Sequence, residues 1–389
     1  MRPGTPKFNG SRLRSAREAR GLSGAALAEL VDVSRSAISQ YERGVQTPSP
    51  QNVQEIANKL NLPPKYFLQQ SIQSNQTAVF YRSFSAALKS ARTRSQRKLD
   101  WLHEIVDHLE QLIELPNVNL PEIELPDDVL SVTSDEIENI AKKTRRFWGL
   151  GDGPISNMVQ LLENNGIIVS RQFLDSLKLD AFSNWNVESH RPFVVLGSDK
   201  GSAVRSRFDA AHELAHLILH KDLAEKDLKN ASIFKAIERQ ANEFAGAFLL
   251  PSTTFLSEVF SFTPEGLLTL KKRWGVSVGL MVKRSSDLGA IDDDSTRKLW
   301  MRISKRGWRK KEPYDDEILP ESPNILSKCF QLLIDSGIGV RDSILARLPW
   351  HWRDIEEIAS LRTGLLSPPN DEVASQENQP RIIKFPNLG

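Results

Sequence analysis

The sequence predicts a multidomain, mainly α-helical protein with one small β-sheet. Three observations carry that expectation. A chain of 389 residues, 40% apolar, is long enough for two to four domains with cores of their own. Apolar residues recur at helical spacing through most of its length, broken by small polar turns. Short β-rich runs bounded by turn residues are confined to the middle: "GIIVSR", "DAFSNW" and "PFVVLG".

Taken in order, residues 8–70 read as an all-α domain of four short helices: "SRLRSARE", "GAALAELV", "SRSAISQYERG" and "PQNVQEIANKL". Ser34 fits an N-cap, Gly44 a helix stop, and Pro48 and Pro50 set up the fourth helix. Residues 71–127 form a connector, a long helix over 82–114 followed by the proline-rich "LPNVNLPEIELP". The helix is basic at first (Arg82, Lys89, Arg92, Arg94, Arg97, Lys98). It then carries a stripe of Leu102, Ile105, Leu109 and Leu112, either a packing face or the seam of a homodimer. Residues 128–255 mix helices with the β-rich runs and end in two long helices near 203–220 and 232–250. Residues 256–366 read as helical, with no evident chemistry. The polar stretch 367–389 reads as a disordered tail.

Composition narrows the setting. A single cysteine, Cys329, excludes an internal disulfide framework and fits a reducing compartment. No apolar run is long enough to span a bilayer, and "MRPGTPKFNG" lacks the apolar core of a signal peptide, so a cytoplasmic location is expected, with no membrane partner. The net charge of +2 hides an asymmetry. Residues 1–100 hold 16 Lys+Arg against 6 Asp+Glu, a net of +10, leaving −8 for the rest. A basic end on an acidic body points to a nucleic-acid-binding end, against the plainer reading of a solvated basic surface.

The chemistry concentrates in "RFDAAHELAHLILH". Residues four apart on a helix share a face, so His212 and His216 can place two imidazoles on one metal ion, with Glu213 beside them. This H-E-x-x-H spacing supplies two zinc ligands and a carboxylate able to take a proton from a metal-activated water. The plain alternative is a helix whose histidines are merely hydrogen-bonded. His220 is one turn further along, about 12 Å from His212 along the axis, too far to share a metal with it. A third ligand is expected from "IERQANEFAGAFLLP". With Ile237 at 0°, Glu238 falls near 100°, inside the apolar arc of Ala241, Phe244, Ala245, Phe248 and Leu249; Glu243 falls near 240°, outside it. A carboxylate within an apolar stripe needs a cation, so Glu238 is the expected ligand, and Asn242 one turn on is placed to orient a ligand. His190, Arg205, Arg207 and Tyr314 are the candidates for stabilising an oxyanion.

"RSRFDAAHELAHLILH", the helix ending in Leu-Leu-Pro, "FWGLGDGPISNMVQLLENNGIIV" and "DAFSNW" together resemble the ImmA/IrrE family of zinc metallopeptidases over about residues 130–255. That resemblance implies an α+β zincin-like fold. It also implies zinc (Zn2+) as cofactor, His212, His216 and Glu238 as metal ligands, Glu213 as catalytic base, and a Cro/C1-type repressor as the cleaved partner. "LSGAALAELVDVSRSAISQYERGVQTPS" resembles the Cro/C1-type (XRE) helix-turn-helix over about residues 9–69. In such a unit one helix packs behind a second whose outer face enters the major groove of double-stranded DNA. Val33, Ala37, Ile38 and Tyr41 supply the inner face, leaving Arg35, Ser36, Ser39, Gln40 and Arg43 to reach bases and phosphates. The family places a phosphate-contacting glutamine where this chain has Gly24. Arg12, Arg14, Arg17 and Arg20 are available to compensate.

The sequence thus supports a DNA-binding regulator carrying a zinc endopeptidase domain. Other readings are a transcription factor whose peptidase-like domain only senses a signal, a helix-turn-helix used for protein docking, and a scaffold or antitoxin partner.

Overall fold

Small polar residues punctuate the helices. Ser23, Ser34 and Ser49 each accept a backbone N–H at the start of a helix, satisfying a donor that has no partner within the helix. The computed structural model describes residues 4–70, 79–81, 89–126, 128–176, 179–199, 201–336 and 341–367. It divides into two units, one of residues 1–72 with 326–389 and one of residues 73–325.

The first unit begins with α1 (Gly10–Ala19), α2 (Gly24–Leu30), α3 (Arg35–Glu42) and α4 (Pro50–Leu60). Gly10 makes the close crossing of α1 and α3 possible, since a Cβ there would lie 2.0 Å from the Tyr41 carbonyl oxygen. Arg17 ties the same helices, its Nε 2.5 Å from Glu42 Oε1.

In the second unit, β1 (Phe80–Tyr81) precedes α5 (Lys89–Glu110), α6 (Ser134–Phe147) and α7 (Met158–Asn164). Then come β2 (Ile168–Gln172), β3 (Ala181–Asn186), β4 (Arg191–Gly197), α8 (Ala203–Leu219), α9 (Glu225–Leu228) and α10 (Ala231–Leu249). The unit closes with α11 (Ser252–Glu258), α12 (Pro264–Trp274), α13 (Val278–Asp287) and α14 (Asp293–Lys305). The chain ends its described part with α15 (Ile325–Asp335), α16 (Arg341–Arg347) and α17 (Trp352–Ile358).

The sheet has the order β1-β3-β4-β2. β3 and β4 form an antiparallel hairpin with Ser183 opposite Val194, and β2 lies parallel to β4 with Val169 opposite Val194. Successive strand residues face opposite ways. Ser183 therefore faces α8, to which its hydroxyl bonds, and the Asn184–Phe193 pair faces the other side. There α5 lies, with the His103 ring 4.3 Å from that of Phe193. Burial pushes the His103 pKa down to about 4, as expected for an imidazole stripped of water. One core runs from the sheet through α8 and α10 to α12 and α13, and includes Val194, Leu214, Ala215, Ala241, Phe244, Phe248, Trp274 and Met281.

Two expectations are sharpened. Leu102, Ile105 and Leu109 are buried within the chain, so the α5 stripe is a packing face and is not open as a dimer seam; Leu112 is exposed. The helix is described over Lys89–Glu110, and the part expected at 82–88 lies outside the described residues, as does the tail from 368 on. The region expected as one piece over 256–366 is divided: residues 256–325 belong to the sheet-bearing unit, and residues 326–367 pack with α1–α4. Charge explains the second association. Arg20 forms a two-pronged ion pair with Asp354 at 2.6 and 2.7 Å, and the Lys65 ammonium bonds the last carbonyls of α16, those of Leu345 and Ala346.

Candidate metal centre

α8 is rich in alanine where it must be thin. Ala210, Ala211 and Ala215 are fully buried and let the sheet and α10 approach closely. The same helix buries His212, Glu213 and His216 completely. α10 begins at Asn230, whose side chain accepts from the amides of Ser232 and Ile233, and it carries Glu238 against α8.

Three donors converge. His212 Nε2 and His216 Nε2 lie 3.0 Å apart, and Glu238 oxygens lie 3.7 and 3.4 Å from them. Tetrahedral ligands about 2.0–2.1 Å from a zinc ion stand about 3.4 Å from one another, so the spacing fits this ion. Two imidazoles and one carboxylate are also the three-residue donor set that catalytic zinc sites use, where structural sites use four protein ligands. Burial would raise the Glu238 pKa, but hydrogen bonds and charge from His212 and His216 outweigh it and hold it at about 2 while those rings carry a proton, a proton that leaves when the rings are neutral and free to hold an ion.

The outer hydrogen bonds assign the imidazole tautomers. Asn242 Nδ2 donates to the Glu238 carbonyl at 2.7 Å, which leaves its Oδ1 to accept from His212 Nδ1 at 3.2 Å. Gln240 Nε2 donates to the Val129 carbonyl at 2.7 Å, so its Oε1 accepts from His220 Nε2 at 2.9 Å. His220 Nδ1 is then an acceptor, and His216 Nδ1 donates to it at 2.9 Å. Burial, the largest influence, pushes the His220 pKa well below its usual value, in the direction of the neutral ring that this relay uses. Both ligand histidines are thereby fixed with the Nε2 lone pair turned inward.

Glu213 is held from the sheet. The Ser183 hydroxyl donates to its Oε2 at 2.6 Å. Phe80 covers the other side of the cluster, its ring stacked on that of His216 at 5.0 Å and 8°. Neither Ser183 nor Phe80 was visible as a site residue in the sequence. A large cleft of about 1180 Å³ lies on the α6, α10 and α13 side. It reaches Asn242 and Phe208 behind His212, and none of the three ligands lines it.

Other sequence candidates sit elsewhere. Glu243 is paired with Arg239 at 3.0 Å. Arg207 is held by Glu321 and the Ile155 and Ser156 carbonyls, Arg205 donates to the Arg309 carbonyl, Tyr314 lies under Lys272, and His190 is exposed in the β3–β4 turn. None of the four oxyanion candidates joins the site.

On α3, Arg35, Ser36, Ser39 and Arg43 are exposed and Gln40 is half-buried. Ile38 and Tyr41 are buried beneath them, with Val33 and Ala37 half-buried. The compensating role for four arginines narrows to one. Arg12 is buried over the Tyr66 ring, Arg17 is paired with Glu42 and Arg20 with Asp354; Arg14 alone is exposed.

Residues 163–286 match the family model of the IrrE N-terminal-like domain, a peptidase family, and residues 13–67 match that of the helix-turn-helix. The chain joins a helix-turn-helix domain to an IrrE-like peptidase-family domain. The IrrE-like match runs past the expected end at residue 255, through α11 and α12 and into α13. That extent agrees with a core in which Trp274 and Met281 pack with Phe244 and Phe248. A comparison with curated proteins gives no match. Among the described residues no helix is long and apolar enough to cross a membrane.

Proposed function

We propose that this chain is a DNA-binding regulator whose IrrE-like domain is a zinc-dependent endopeptidase, and that its substrate is a Cro/C1-type repressor. One observation carries the reading: His212, His216 and Glu238 meet with ligand spacing while Glu213, hydrogen-bonded to Ser183, stands beside them. A merely structural histidine helix has no need of that carboxylate.

His212, His216 and Glu238 would hold the ion. Zinc, when bound, supplies a Lewis acid that polarises a carbonyl and brings the pKa of a water toward about 7. The chain does the rest. Glu213 takes up the proton of the attacking water at its carboxylate and delivers it to the departing amine. Ser183 donates to one oxygen, Oε2, which fixes the plane of that carboxylate. Asn242 and His220 hold the two ligand rings in place. Arg35, Ser36, Ser39, Gln40 and Arg43 form the face of α3 that would bring the molecule to DNA.

Metal analysis of the purified chain should give about one zinc per chain. In cells carrying a neighbouring Cro/C1-type repressor, wild type should remove the repressor and Glu213→Gln should leave it intact. Zinc near zero in a folded sample, or equal repressor loss with both proteins, would overturn the enzyme reading. DNA affinity of the full chain should fall steeply as salt rises, because phosphate contacts release counterions.

A further inference from the structure

β1 is a strand of only two residues, and it lies at a consequential place. It pairs antiparallel with β3, Phe80 opposite Ser183 and Tyr81 opposite Phe182. Ser183 is the residue that holds Glu213, so Phe80 sits across from the side chain that orients the proposed base. Its position in the pleat turns Phe80 toward α8, where it stacks on His216 and lies 6.2 Å from the His220 ring. The ring is 2% exposed in an apolar recess shared with Leu228 and Ile237, and bordered by Val129, Leu223, Ile233 and Phe234. Among the described residues β1 is the outermost strand, beside β3.

An edge strand offers a row of backbone donors and acceptors that an extended peptide can complete, with pockets beside it selecting every second side chain. Val79–Tyr81 therefore satisfies both terms of such recognition at once: the ladder with β3, and a side chain in the recess against His216. We propose that these residues are a built-in stand-in for the substrate. An extended peptide displaces them, pairs antiparallel with β3 and places a large apolar or aromatic side chain where the Phe80 ring lies. The strand is short enough to leave without disturbing β2, β3 and β4, which pair among themselves. Until it leaves, it occupies the strand position beside β3 and closes the site. This rests on the peptidase reading and adds to it a substrate class and a cause of latency.

The test is binding by the full chain, zinc-loaded and zinc-free, with Glu213→Gln in every protein so that nothing is consumed. The probe is a fluorescein-labelled peptide of alternating threonine and valine with one central phenylalanine; its counterpart carries aspartate there. A competitor that occupies its own site lowers apparent affinity by the fraction of time the site is free, so Phe80→Ala should bind the phenylalanine peptide about tenfold more tightly than Phe80 protein. The aspartate peptide should bind neither. Equal affinities, or no binding to either protein, would overturn the proposal. Zinc content and amide exchange of α8 must match the parent; should Phe80→Ala fail there, Phe80→Leu replaces it, with an expected gain of about threefold. The two readings fail separately. Peptide binding that depends on residue 80, in a chain with no zinc and no Glu213-dependent cleavage, would sink the peptidase alone. Cleavage with no effect of residue 80 on binding would sink the stand-in strand alone.

Discussion

His220 lies one turn beyond the second ligand, yet it decides which nitrogen of His216 carries a proton. Its effect should be measurable without catalysis. His220→Leu removes the acceptor for His216 Nδ1, freeing the ring to turn and leaving a buried donor unpaired. Such outer contacts are worth about 10- to 100-fold in metal affinity, and competition with a chromogenic chelator should show a loss of that size. An unchanged zinc affinity would mean the relay is only packing. At this scale the sequence was informative where helical phase alone settles direction. His212, His216 and Glu238 could be placed on facing sides of two helices from their spacing, and the structure brings them together. Ser183 and Phe80 could not be placed. Their direction depends on strand register, which is set by partners far away in the chain. The oxyanion candidates failed for a related reason: a positive side chain in the sequence does not reveal the carboxylate or carbonyl that will claim it, as Glu321 claims Arg207.

Among the elements, the close crossing of α1 and α3 leaves little room for change. Gly10→Ala would put a methyl group 2.0 Å from the Tyr41 carbonyl oxygen, so α1 must shift. Overpacking of this kind costs about 1–3 kcal/mol. The α1 and α3 amides should lose that much protection from hydrogen exchange while those of α8 and α10 keep theirs. Full protection throughout would show that α1 moves without penalty. The elements themselves were mostly readable. Ser34 marked the start of α3, Pro48 and Pro50 set up α4, and turn residues isolated β2, β3 and β4, because these signals act within a few residues. β1 escaped because two residues carry no periodicity. They form a strand only because β3 offers an edge.

For the whole molecule, the informative feature is where residues 326–367 go. Composition gave no reason to separate them from α11–α14; their destination is set by single charges such as Asp354 and by the carbonyl end of α16. Asp354→Ala leaves the Arg20 guanidinium without its main partner. Removing one member of a largely buried, charge-assisted pair costs about 1–3 kcal/mol. Urea unfolding of the full chain should show that loss in the exchange of α1 and α4 amides, with α8 unaffected. Equal stability would mean that the carbonyls of Leu60 and Asn61 serve Arg20 well enough without the carboxylate.

The first unit is assembled from two segments that lie before and after the peptidase-family domain in the chain. A ribosome therefore releases the partners of Arg20 and Lys65 last, after the sheet and its histidines have left the exit tunnel. During translation, the domain that would cut can fold before the domain that would find DNA has all its pieces. A message broken short of codon 326 would yield a product lacking the buttress of its DNA reader.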